Sequence, residues 1–467
     1  MVTKLNGVLD RLFKLSENKT NVRTEFIAGL TTFMTMAYII IVNPSILSAA
    51  GMDHGAVFTA TIVSTIIATL CMAFLANYPF ALAPGMGLNA YFAFVVVGSM
   101  GKSFEFALTA VLLEGIIFIV ISFFKVREAI FDSIPAALKK AVSVGIGLFI
   151  ALIGMVNGGL VIHGDPGTVI TKDGNAVEHI LKTTVENVTV FFGDPGVILK
   201  PGDFTSNGAI VTLIGLIVIG VLLIFKVKGA LLWGILAATV AAFPLGVASL
   251  PQAVASLPPS LAPTFMKFEW TQIFTWEMLM VLFSFLFVDI FDTIGTLTGV
   301  ASKTDMFDKD GKLPRTGQAL LSDAIGTVVG ACLGTSTVTT YVESSAGVAE
   351  GGRTGLTSVF TSIFFALALF FAPILGIVPT QATAPALIMV GLFMMSPIKD
   401  IDFNDYAKSI PAFLTIIVMP FCYSIAEGIA VGMIAWVILH VLTGKYKEVS
   451  ITMYILAALF VLRYIFL

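Results

Sequence analysis

From Gly208 to Phe225 this chain carries no charged side chain, and apolar stretches of similar length recur along most of it. About 20 such residues are what a helix needs to cross the hydrocarbon core of a bilayer. Within that core every backbone N–H and C=O must be satisfied by the chain itself, so only helices and closed barrels can span it. Barrel strands are short and alternate in polarity, whereas these runs are long and continuous. Composition agrees: 57% of the 467 residues are hydrophobic and 12% are charged, about half the charged share of a soluble domain. An all-α polytopic membrane protein is expected, seated in the lipid bilayer of a cell membrane. The net charge of −3, with no basic patch, gives no reason to expect a nucleic-acid partner. Cys71, Cys332 and Cys422 stand alone in apolar segments and the histidines are scattered, so no metal, cofactor or redox role is expected.

Residues 1–26 read as a charged tail with a short surface helix; a start this polar is not expected to be a cleavable signal. Apolar segments follow at 27–48, 56–76, 84–99, 105–124 and 136–156, then a polar stretch at 157–207. The rest lie at 208–225, 230–248, 276–301, 317–333, 338–351, 355–376, 382–396, 409–425 and 427–443, fourteen in all. The last stretch, 450–467, is apolar but short, and reads as an interfacial helix or hairpin. With a cytoplasmic N-terminus and alternating segments, most lysines and arginines fall inside; Lys102, Lys172, Lys182, Lys200 and Lys267 fall outside. That is the positive-inside asymmetry. It survives only if the short segments 84–99 and 338–351 count as crossings, whole or partial. The polar stretch reads as an external cap, with turns at 164–167 and 193–196.

The two short segments are also odd in composition. Segment 3 is entered through NYPFALAPGMGLNAYF, with Pro79, Pro84, Gly85 and Gly87 interrupting it. Segment 10 is entered through LGTSTVTTYVESSAGVAEGG, threonine-rich and β-prone from Ser336 to Tyr341. Each is third in a set of seven, and paired interrupted segments in matching places point to a midplane site between inverted repeats. Seven is odd, so two such halves would have opposite orientations.

Acids gather at the same places. A carboxylate at the centre of a membrane helix costs about 2.5–3.5 kcal/mol on insertion scales, which favours a polar cavity or a partner around it. On segment 8, Asp289, Asp292 and Thr296 are spaced by three and four, on one helical face. On segment 10, Glu343 follows the extended threonine run and begins a half-helix. Segment 3 offers Asn89 after the flexible PGMG, and segment 1 offers Thr32, Thr35, Tyr38 and Asn43. Asp323 and Glu114 read as structural hydrogen-bond partners between helices, and Glu350 and Arg353 as solvated groups at the cytoplasmic end. GSMGKS from Gly98 lacks the first glycine of a phosphate loop, and GMGLNA lies inside a membrane segment, so neither signals nucleotide binding. With no ATPase module and no nucleophile–base pair, the chain reads as a gradient-driven transporter and not an enzyme.

Four stretches, LTTFMTMAYIIIVNP (Leu30–Pro44), APGMGLNAYFAF (Ala83–Phe94), FVDIFDTIGTLTGVASK (Phe287–Lys303) and TTYVESSAGVAEGGRTGLTSV (Thr339–Val359), together resemble the AzgA-like purine permeases. These are the adenine/guanine/hypoxanthine branch of the nucleobase–cation symporter-2 superfamily. The resemblance implies seven-plus-seven inverted repeats with a core of segments 1–4 and 8–11, a gate of segments 5–7 and 12–14, and short strands in segments 3 and 10. The implied domains are a tail at 1–26, core at 27–125, gate at 126–250, core at 251–376, gate at 377–448 and an apolar tail at 449–467. It implies substrate contacts at Asp292 and Glu343, with Gly87 and Asn89 secondary; Tyr341 and Thr296 complete the candidate set, and Asp292 and Asp289 are candidates for the coupling proton. The implied cargo is a purine base, imported with a proton rather than sodium by alternating access; a homodimer is left open. Two alternatives stand beside this reading, an anion transporter or channel of the same fold and a uracil/xanthine permease. Against the latter, Glu343 is followed by Ser344 and Ser345 instead of an asparagine, and threonines replace a histidine near the segment 8 acid.

Overall fold

Segments 3 and 10 stop short of a full helix because each begins as a strand. In the computed structural model, Leu82–Pro84 pairs antiparallel with Val338–Thr340, with Leu82 opposite Thr340, Ala83 opposite Thr339 and Pro84 opposite Val338. The model describes residues 2–122, 135–163, 169–171, 176–177, 188–190, 199–250, 253–301, 313–422 and 424–466. Helix Met86–Ser99 follows the first strand and helix Ser344–Ala349 the second. A two-stranded ribbon leaves two open edges, and at membrane depth those groups need partners. Threonines from neighbouring helices supply them. On one edge Thr69 Oγ1 meets both the carbonyl and the N–H of Leu82, at 3.2 and 3.0 Å. On the other Thr327 Oγ1 donates to the Val338 carbonyl at 3.1 Å.

The remaining segments are Val22–Ser48, His54–Ala76, Phe104–Ser122, Ala136–Asn157, Asn207–Ile224 and Ala230–Ala242 in the first half. In the second half they are Trp276–Ala301, Thr316–Leu333, Gly355–Leu375, Thr380–Asp400, Tyr406–Phe421 and Ile425–Leu442. With the two broken segments they make, among the described residues, the expected fourteen. Their packing repeats under exchange of each segment with the one seven places on. Segment 4 packs on 9 as 11 packs on 2, 1 on 11 as 8 on 4, 13 on 5 as 6 on 12, and 13 on 14 as 6 on 7. Segments 2 and 9, segments 5 and 12, and the two strands pack on their own counterparts. An antiparallel strand pair and this exchange are what a two-fold axis in the membrane plane produces. Segments 5 and 12 cross where a Cβ on Gly147 would meet the Gly391 carbonyl oxygen at 2.6 Å, so that crossing needs glycine.

Glu25 at the start of segment 1 is fully buried. Its carboxylate accepts hydrogen bonds from the Arg353 and Thr357 N–H groups at 2.9 and 3.1 Å and from the Thr357 hydroxyl at 2.6 Å, fixing the first turn of segment 11. In the connection before segment 8, hydrogen bonds from Ser103 and Gln272 hold the Glu269 carboxyl below the usual carboxylate range.

The C-terminal stretch is more definite than its sequence suggested. Helix Ile451–Phe466, 16 residues and so about 24 Å long, turns back along segment 14. Met453 is buried, and the Tyr464 hydroxyl donates to Glu427 at the far end of that segment. This is the hairpin arm of the expectation. The polar stretch contributes short strands, among them Val161–His163 paired with Leu199–Pro201; the turns expected at 164–167 and 193–196 lie outside the described residues.

Candidate functional site at the broken segments

A narrow cavity of about 60 Å³ opens where the strands end. It is lined by Gly85 to Gly87 from segment 3, Thr339 to Glu343 from segment 10, Asp292 and Thr296 from segment 8, and Tyr38 from segment 1. Val390 and Met394 of segment 12 close the opposite side. The strand break makes this possible: it interrupts segments 3 and 10 part-way and lets residues from five segments converge on one cavity. Asp292, Glu343, Gly87, Tyr341 and Thr296 therefore share one cavity.

Glu343 is held by its neighbours. The Tyr38 hydroxyl donates to its Oε1 at 2.7 Å, which leaves Oε2 for another donor. Tyr341 turns its hydroxyl to the Pro84 carbonyl at 2.5 Å, and its own N–H to the Ala81 carbonyl at 3.0 Å, so it ties the two broken segments together. Gly85 packs closely on the second strand: a Cβ there would meet Thr339 Cγ2 at 2.7 Å, and Asp292 Oδ2 lies next to the same position at an ordinary contact distance of 3.5 Å. The Thr340 hydroxyl is buried and has no hydrogen-bond partner.

Two candidates stand beside the cavity instead of lining it. Asn89 is fully buried and accepts from the Ser336 hydroxyl. Asp289 is also fully buried. Thr293 stands between it and segment 9: the Thr293 hydroxyl is 3.1 Å from Asp289 Oδ1, 2.9 Å from Asp323 Oδ1 and 2.7 Å from the Thr339 hydroxyl. Asp323 thus belongs to a polar cluster directly behind the site. Glu114 accepts from the Thr337 hydroxyl at 2.6 Å, as a structural partner between helices would. Val390, Met394 and Met86 were not foreseen, since apolar side chains on apolar segments carry no signal. Glu350 and Arg353 are more than solvated: Glu350 forms an ion pair with Lys228, and Arg353 donates to the carbonyls of Val348 and Gly352 at 2.7 and 2.8 Å. Among the described residues no group of three or more His, Cys, Asp or Glu side chains could hold a metal ion.

A family model described as the Permease family matches residues 23–193 and 179–431, nearly the whole chain. The chain belongs to this family. Similar proteins extend over its full length. A putative permease of Methanocaldococcus jannaschii is 45% identical, with 98% of each chain covered. The guanine/hypoxanthine permease PbuG of Bacillus subtilis is 42% identical, covering 97% of this chain and 99% of that one. The adenine permease AdeQ of Escherichia coli is 39% identical, covering 99% and 98%. Among solved structures, the transmembrane domain of the cyanobacterial bicarbonate transporter BicA aligns with a TM-score of 0.60 at 15% identity, covering 86% of this permease and 96% of that domain. The overall structure of SLC26A9 aligns with a TM-score of 0.63 at 13% identity, covering 95% and 70%. At such identities these two speak for the fold alone.

Proposed function

We propose that this permease imports purine nucleobases by proton symport, reading the base with Glu343 and carrying the proton on Asp292. The observation that carries the proposal is that both carboxylates face one narrow cavity at the break in segments 3 and 10. A purine base is flat, neutral and rich in donors on one edge; guanine sets a ring N–H beside an amino group, donors that a carboxylate oxygen accepts. Tyr38 holds one oxygen of Glu343 in place and acts as a positioning residue for that contact. Relatives named as adenine and guanine/hypoxanthine permeases, similar end to end, point to the same cargo. An anion would meet two carboxylates here, which disfavours the anion-transporter reading that the fold alone would allow.

In this reading segments 1–4 and 8–11 form the core that holds the base and segments 5–7 and 12–14 form the gate. The N-terminus is cytoplasmic, and Asp289 with Asp323 forms the polar backing of Asp292. Segment 12, which supplies Val390 and Met394, withdraws to admit the base. Uptake of labelled guanine, hypoxanthine and adenine by a cell lacking its own purine permeases tests the reading, with competition by unlabelled bases and addition of an uncoupler. Uptake that no purine competes, or that the uncoupler leaves unchanged, would count against the cargo or the coupling respectively.

Gly87 gives a local test. A Cβ there would meet Ile146 Cγ2 of segment 5 at 2.8 Å, so any side chain fills the space between the site and the gate. Gly87→Val is expected to weaken purine binding at least tenfold with folded yield retained. Wild-type affinity in the purified variant would move the site elsewhere.

A further inference from the structure

We infer that Thr340 is a specificity-determining residue of the cavity, hydrogen-bonding an acceptor of the bound base. Thr340 is 2% exposed and lines the cavity, and its buried hydroxyl has no hydrogen-bond partner. A buried hydroxyl left unpaired is costly. Other orphan side-chain atoms occur elsewhere in the molecule, but Thr340 Oγ1 is the one among the described residues that belongs to the lining of this site. With Glu343 able to accept N–H donors, a hydroxyl three residues before it in segment 10 supplies the complementary donor, for a ring nitrogen or a carbonyl oxygen. The inference rests on the purine reading. Its test compares Thr340→Val, which keeps the shape, with Thr340→Ser, which keeps the hydroxyl. Purine affinity of the purified proteins is expected to fall about tenfold in the valine variant and to stay within about threefold in the serine variant, while the ligand-free valine variant melts no lower than wild type. Equal affinity of wild type and Thr340→Val would overturn the inference. Absence of purine binding to the wild type would instead overturn the reading it rests on.

A second inference comes from a break in the symmetry. Segment 7 packs on segment 1, and the counterpart pair is segment 14 with segment 8. The first contact is closed. Gly229, at φ +69° just before segment 7, sits so near segment 1 that a Cβ would meet the Met34 carbonyl oxygen at 2.7 Å. Beside it Lys228 forms its ion pair with Glu350 at the end of segment 10. At the counterpart place segments 8 and 14 do not meet: a cavity of about 370 Å³ lies between Trp276 and Ser284 of segment 8 and Glu427 of segment 14, with Tyr91 of segment 3 and with Leu456 and Phe460 of the C-terminal helix, which has no counterpart in the first half, also in its wall. Inverted repeats exchange conformations as the site changes sides, so contact on one face with a gap on the other marks a state open to one side only.

We propose that Lys228, Glu350 and the seat of Gly229 on Met34 form a cytoplasmic latch, made in this state and broken when the site opens inward. The side chains of Lys228 and Glu350 are 51% and 31% exposed; such a pair is weak and screened by salt, as suits a contact remade in every cycle. The proposal rests on the cytoplasmic placement of the N-terminus. The test uses Met394→Cys as reporter, with Cys71, Cys332 and Cys422 replaced by serine, and a membrane-impermeant maleimide applied to inside-out and right-side-out vesicles. Lys228→Glu and Glu350→Lys are each expected to speed labelling from the cytoplasmic face about fivefold, and Gly229→Ala to speed it also. The double reversal Lys228→Glu/Glu350→Lys is expected to restore the slow rate. Single reversals without effect, or a double reversal that restores nothing, would overturn the latch. A reversal effect seen only from the outer face would show that the orientation is inverted. Purine binding to Lys228→Glu, with Met394 intact, tests the cargo separately.

Discussion

Asp292→Asn is expected to abolish uphill accumulation of purines while the protein still exchanges base for base across the membrane. Asparagine keeps the shape of the side chain but cannot take up and release a proton. Asp292 lines the cavity together with Glu343, so in the proposed reading its proton and the base share one compartment and turn over together. The driving force at stake is large: moving one charge through 100 mV is worth about 2.3 kcal/mol, which is about fiftyfold in concentration. The wild type should therefore hold an accumulation ratio well above one that rises as external pH falls, and the variant a ratio near one at every pH. Counterflow in vesicles equilibrated without a gradient checks that the variant still binds and moves base. A variant that accumulates purine with an unchanged dependence on external pH would remove Asp292 from coupling, and Asp289, beside Thr293 and Asp323, would be the next residue to test. Replacing sodium by choline separates the two cations, and the expected result is no change.

The strand pair was legible because its chemistry is unusual for a membrane segment. Threonines from Ser336 to Tyr341 favour extended backbone, and Pro84 with Gly85 cannot continue a helix through segment 3. The assignment of faces was legible only in part. Residues two apart on a helix lie about 200° apart, so Gly87 at the cavity turns Asn89 away from it, toward Ser336. Asp289 and Asp292 differ by about 60° around the axis, which is enough to turn one to Thr293 and Asp323 and the other to the cavity. Periodicity groups such neighbours together, and only the position of segment 9 separates them.

The segment 12 wall of the cavity was not legible at all. Val390 and Met394 are apolar residues on an apolar segment, and nothing in their type separates a wall of the site from lipid contact. The Lys228–Glu350 pair joins loops more than a hundred residues apart, and exposed charges at a membrane face are ordinarily solvated. The C-terminal helix was ambiguous for a different reason. Its 16 residues fall below the about 20 that a span needs, and only the Tyr464–Glu427 contact fixes its direction along segment 14.

Glu343→Gln is expected to lower affinity for guanine or hypoxanthine by about 30- to 1000-fold with the fold intact. The glutamate accepts from Tyr38 through Oε1 at 2.7 Å, so in the proposed reading its second oxygen is the one left for the base. Glutamine has nearly the same shape but one oxygen and one NH₂. If its oxygen stays with Tyr38, the NH₂ faces the donor edge of the base, donor against donor. If it flips, the base regains an acceptor and the Tyr38 hydroxyl loses its own. Either way one charge-assisted hydrogen bond is lost and one buried donor is left unpaired, at a cost of about 2–4 kcal/mol. Tyr38→Phe removes the competing donor and so distinguishes the two arrangements: combined with Glu343→Gln it should recover part of the lost affinity, because the amide oxygen is then free to turn to the base. A Glu343 that only joins helices predicts a different pattern, with a lower melting temperature and unchanged affinity in the protein that survives. Calorimetric binding on purified protein, normalised to folded fraction, separates them. An affinity of Glu343→Gln within about threefold of wild type would remove Glu343 as the base-reading residue.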